Sequence, residues 1–181
     1  WIGGVDNGGQ LKVAAQTYRT TGNDFWPGPL NINDASVSSD VCAQYDKHFR
    51  ITRKEVEEFA AFGKITPAIT EWPGNGNISE GQDKYLAPFY DGDGDGLYNP
   101  SGGLDYPGYD LVAGDSYGDC QENQCIPVDQ LFGDETIWWV FNDKGNVHTE
   151  TNGASIGMEL RAQAFAFATN DEINSMTFCN Y

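Results

Sequence analysis

Positive charge is scarce in this sequence. Its 181 residues include 10 lysines and arginines against 27 aspartates and glutamates, a formal net charge of -17. That balance argues against nucleic acid or anionic lipid as a partner, because both are bound through basic patches. Histidine is scarcer still, with only His48 and His148 and no evident partner near either. No apolar run approaches the length that crosses a membrane, so membrane insertion is not expected. There is no Gly-x-Ser-x-Gly nucleophile elbow, and no Gly-Lys-Ser/Thr follows the glycine-rich turns Gly3-Gly4 and Gly8-Gly9. No repeat of 20–50 residues is evident. The four cysteines do not spell a zinc site, since Cys120 and Cys125 are five apart and the histidines lie elsewhere. The first residue is Trp1 rather than Met, which leads us to expect a processed product or a fragment.

What remains is acidic, aromatic and turn-rich. Aromatics make up 13 % of the chain and charged residues only 20 %, which excludes wholesale disorder. The most informative stretch is Asp91-Gly92-Asp93-Gly94-Asp95-Gly96. Carboxylates at every second position of a tight loop can converge on one hard cation, and Gly96 falls where a calcium loop turns sharply. We expect one calcium held by Asp91, Asp93, Asp95, the Leu97 carbonyl, Asn99 and Asp105. The twelfth loop position is Gly102 instead of a bidentate glutamate, so the loop resembles those of dockerins and thrombospondin-type repeats and not a helix-loop-helix sensor. Without flanking helices to open, such an ion has a structural role. Asp110, Asp115 and Asp119 form a second, weaker candidate site.

Four cysteines allow three pairings. In one of them Cys120 and Cys125 close on each other, leaving Cys42 with Cys179. Disulfides and calcium together point to an extracellular protein.

The pattern along the chain predicts an all-β fold, an antiparallel β-sandwich with one short helix and long calcium-stabilised loops. Residues 1–181 suit one domain with a loop-rich insertion at about 21–130. A hairpin is signalled by Asp6-Asn7-Gly8-Gly9 between apolar runs, with an alternating strand from Gln10 to Tyr18. Thr52-Arg53-Lys54-Glu55 has the form of a capping box, which predicts a helix over 52–62 ending at Gly63, with Phe59 and Phe62 docked on a sheet. Residues 134–181 read as a four-strand meander: 136–141, 147–150, 156–168 and 173–181. In the third of these Met158, Leu160, Ala162, Ala164 and Ala166 share one face. The last strand runs into Tyr181 without a turn, as it would in a chain cut inside a larger β-domain or a strand that pairs with another molecule.

Several phrases are similar to known sequences. Trp1-Ile2-Gly3-Gly4, Leu11 to Tyr18, Asp24-Phe25-Trp26-Pro27-Gly28-Pro29, Ile137 to Asp143 and Phe165 to Tyr181 resemble the N-terminal region of large secreted surface proteins of Bacteroidota. Such proteins are exported by the type IX secretion system and end in a C-terminal sorting domain. The resemblance implies a cell-surface or secreted location, and Tyr85 to Tyr109 looks like the family's calcium-type loop. It supplies no catalytic motif.

Two other chemistries were weighed. Glu71, Asp83, Asp134, Glu135 and Glu159 are candidate glycosidase acids, but close carboxylates arise by chance in so acidic a chain, and no enzymatic activity is expected. Trp26 and Trp72 lie in Pro/Gly-rich loops; the favoured expectation is that they fold back to pin those loops onto the sheet, and faces offered for glycan stacking are the basis of an alternative reading as a carbohydrate-binding adhesin. The favoured expectation is a calcium-binding structural protein, a surface or filament-forming subunit. It joins copies of itself or neighbouring domains along β-edges and through bound calcium.

Overall fold

The computed structural model describes residues 1–18, 21–102, 104–111 and 130–181. The expectations placed on Asp115, Asp119, Cys120 and Cys125 lie outside those residues. Along the chain run β1 (Ile2–Val5), β2 (Leu11–Ala14), β3 (Trp26–Pro27), α1 (Ser39–Tyr45), β4 (Phe49–Thr52), α2 (Arg53–Phe62), α3 (Pro67–Thr70), β5 (Phe89–Tyr90), β6 (Tyr106–Pro107), β7 (Glu135–Asn142), β8 (Glu159–Ala166) and β9 (Phe178–Asn180). The fold is β-rich and antiparallel, with few helices. One five-stranded sheet has the order β3-β7-β8-β9, with β4 also paired to β7, and two further ladders join β1 to β2 and β5 to β6. Among the described residues no helix is long and apolar enough to cross a membrane.

The chain divides into two compact units built from interleaved segments. Unit 1 holds Trp1–His48, Gly76–Lys84 and Trp139–Ala162; unit 2 holds Phe49–Asn75, Tyr85–Trp138 and Gln163–Tyr181.

In unit 1 the expected first hairpin forms, with Ile2 opposite Ala14 and Val5 opposite Leu11. The Asp6 carboxylate closes its turn by accepting the amides of Gly8 and Gln10, each at 2.9 Å. The second strand stops at Ala14, short of the predicted Tyr18. The Ala15 amide is taken by the Asp24 carboxylate (3.0 Å), which removes it from any ladder. The predicted strand at 147–150 is absent for a related reason. His148 turns into the interior and bonds backbone carbonyls instead of extending a sheet. β8 likewise starts at Glu159 and not at Ile156, since the amides of Ile156, Gly157 and Met158 all donate to Asp143. Its predicted alternation is blurred: the two buried residues, Ala162 and Gln163, are sequence neighbours on opposite faces. β7 keeps a clean period of two, with Thr136, Trp138, Val140 and Asn142 buried.

In unit 2 the predicted helix is present as α2. Thr52 caps it and Glu55 returns the bond, so both halves of the capping box are made, and Gly63 ends it at φ 66°. Val56 and Phe59 are buried, but Phe62 is 84 % exposed and does not dock on a sheet. The helix terminates directly after Phe62, and two buried side chains one turn apart suffice to seat it. The core around them includes Ile51, Ile69, Trp72, Phe89, Tyr109 and Trp138. α1 and α3 were not expected from the sequence. Each begins at a hydroxyl cap, Ser38 and Thr66, and α3 has Pro67 in its first turn.

Candidate metal centre

The acidic loop lies in unit 2, between β5 and β6, and hairpin register explains how its carboxylates meet. Phe89 pairs with Pro107 and Tyr90 with Tyr106. The two tyrosine rings stack at 4.7 Å and 13° across the ladder. One step further along the same register, Asp91 faces Asp105. A loop closed in this way brings a residue from its beginning and one from its end to the same point.

Asp91, Asp93 and Asp105 each present a carboxylate oxygen, and these atoms all lie within 4.8 Å of one another. Three like charges so close repel by on the order of 1 kcal/mol per pair in water, and by several times more at lower permittivity. A divalent cation removes that repulsion, and an all-oxygen donor set suits calcium or magnesium better than a softer metal. The residues present therefore fit a hard cation.

The loop backbone is organised around the same side chains. Asp91 accepts the amides of Gly94 and Gly96, both at 2.8 Å. Asp93 accepts from Asp95 (3.2 Å) and Asp95 from Leu97 (2.6 Å), a succession of Asx turns. Asp105, fully buried, accepts the amides of Gly92 (3.0 Å) and Asn99 (2.8 Å). Gly94 and Gly96 sit at φ 76° and 75°, where a side chain is strained, and a Cβ on Gly92 would come within 2.4 Å of the Leu104 carbonyl oxygen.

Of the six predicted ligands, Asp91, Asp93 and Asp105 are brought together. Asp95 is not in that group; its Oδ2 accepts from the Asn99 side-chain Nδ2 at 3.5 Å. One organising residue was missed by sequence reasoning. Asn75 accepts the Tyr98 amide at 2.5 Å and donates to the Gly96 carbonyl at 3.2 Å, tying the loop to the preceding segment. Only its place in Trp72-Pro73-Gly74-Asn75-Gly76 hinted at a turn. Tyr98, itself part of the loop, donates through its hydroxyl to the Ile69 carbonyl at 2.6 Å. Burial pushes its phenol above the ordinary range, and the Asp105 charge adds to the effect.

The other candidates fall elsewhere. The backbone carbonyl of Asp110, the one described member of the second acidic set, accepts from Arg53 at 2.9 Å. Cys42 and Cys179 are free thiols, so the bridge between them is not made. Trp72 cannot stack on a sugar. It is 3 % exposed, packs against Trp138 and donates to the Pro88 carbonyl at 2.8 Å, because so large an apolar surface is worth more in the core. Trp26 is half-buried and lies against His148 at 5.9 Å. Among the candidate acids, Glu135 makes a two-pronged pair with Arg50, Asp134 accepts the Ala168 amide, and Asp83 and Glu159 both bind Arg161. No protein-family model matches the chain, and neither a curated relative nor a similar solved structure was found for it.

Proposed function

We propose that this chain is an extracellular calcium-binding structural protein, a cell-surface or filament-forming subunit without enzymatic activity. The convergence of Asp91, Asp93 and Asp105 at the mouth of the β5–β6 hairpin carries this reading. Calcium closes the acidic loop and offsets part of the net charge of -17. The five-stranded antiparallel sheet is one layer of a β-sandwich-like module whose edge strands join it to other copies or neighbouring domains. The resemblance to secreted Bacteroidota surface proteins supports the location.

The test is thermal melting with light scattering, in chelator, in magnesium and in millimolar calcium. A calcium-specific rise in melting temperature with growth in particle size is expected. Asp93 is exposed and, among the described residues, accepts the Asp95 amide. Asp93→Asn should leave the chelated protein unchanged while weakening calcium binding by on the order of tenfold or more, since even outer-shell losses at metal sites cost that much. No melting response to any divalent cation overturns the site. A response without particle growth overturns the assembly.

A further inference from the structure

Unit 1 contains a second concentration of buried charge, independent of the metal loop. Asp24, Asp143 and His148 are 0, 0 and 2 % exposed. The Asp143 carboxylate accepts the amides of Ile156 (2.5 Å), Gly157 (2.8 Å) and Met158 (2.7 Å). The Asp24 carboxylate accepts the amides of Ala15, Glu150 and Thr151 and the Thr151 hydroxyl, the last at 2.7 Å. Donors arranged in this way favour the ionised carboxylate. At Asp24 burial opposes ionisation, but the Thr151 hydroxyl and the three amides outweigh it and hold the carboxyl below its usual range.

His148 lies between them. Its Nδ1 is 2.8 Å from the Val13 carbonyl oxygen and its Nε2 is 2.7 Å from the Asp143 carbonyl oxygen. A carbonyl has no hydrogen to give, so each contact is a hydrogen bond only if that ring nitrogen carries one. Neutral imidazole has a single N–H, and either tautomer would set a nitrogen lone pair against a carbonyl lone pair in a dry site. Both contacts are satisfied only by the doubly protonated ring. The two carboxylates lie on its two sides, Asp24 Oδ2 at 3.8 Å from Nδ1 and Asp143 Oδ2 at 3.9 Å from Nε2. The Trp26 indole stacks over the ring at 28°, a face that favours a cation. The charged residues adjoining the cluster in sequence are engaged outward: Lys12 with Asp6, Glu150 with the Thr17 hydroxyl, and Lys144 near Asp34.

We propose that His148 is a resident imidazolium, the internal counter-ion of Asp24 and Asp143, and that its two N–H groups are a lock on unit 1. The lock ties the end of β2 to the turn after β7 and, through the carboxylates, to residues 150–158. Its loss sets a lone pair against a carbonyl and leaves two buried negative charges uncompensated.

The test uses the full chain carrying His48→Gln, which removes an exposed histidine and leaves His148 as the only imidazole. With calcium chelated, nitrogen NMR of the labelled ring at pH 8 should show hydrogen on both nitrogens, where an exposed imidazole has lost one. A ring nitrogen without hydrogen at that pH overturns the proposal.

Discussion

Asp91, Asp93 and Asp105 share one point, yet they differ in what they do without an ion. Asp93 is exposed, Asp91 organises the turn through Gly94 and Gly96, and Asp105 is a buried post that holds both ends of the loop through Gly92 and Asn99. Asp105→Ala should therefore destabilise the protein even in chelator. Two amides lose a charged acceptor, at a cost of about 2–3 kcal/mol read from denaturant unfolding. Asp24 makes the stability of the fold depend on pH on the acid side. Its folded-state pKa is depressed, so its contribution is present above the ordinary carboxylate value near 3.8 and is lost as pH falls through the lower folded value. Acid titration of the parent should show an unfolding component below pH 4 that Asp24→Asn lacks.

At the scale of elements, short strands and helices persist here because side chains finish what the backbone cannot. α2 has ten residues, too few to be stable alone, and depends on its caps and on Val56 and Phe59. Thr52→Ala removes the cap hydroxyl and should cost about 1 kcal/mol in equilibrium unfolding. β5 and β6 have two residues each, and the Tyr90–Tyr106 stack reinforces their short ladder. The strands that end early, β2 and the start of β8, do so where an aspartate takes the amides a ladder would use.

Across the whole molecule the excess of acid is the governing term. A net charge of -17 on 181 residues disfavours the compact state by self-repulsion. In chelator, raising sodium chloride from low to physiological strength should raise the melting temperature by screening, since the Debye length falls to about 8 Å. Saturating calcium should shrink that salt effect, because the loop's repulsion is then neutralised locally. An unchanged salt dependence would show that the loop charges are a minor part of the total.

The elements set by local chemistry were legible in the sequence: the Asp6 hairpin, the Thr52 capping box, the alternating β7 and the acidic loop. Each depends on residues a few positions apart, whose turn, cap and pleat geometry follows from their own side chains. The β-rich antiparallel class followed from the same signals. What only the tertiary structure decided concerns partners distant in sequence. Asp91 and Asp105 meet through the β5–β6 register, while Asp95, closer in the motif, stays out of the group. Trp72 folds back into the core as favoured from the sequence, whereas Phe62, expected to dock on a sheet, faces solvent. His148 read as an ordinary strand residue, because Val13, Asp24 and Asp143 reach it only when the chain has folded. Backbone amides captured by distant carboxylates leave no periodic trace in a sequence, since the donor's side chain has no part in the bond.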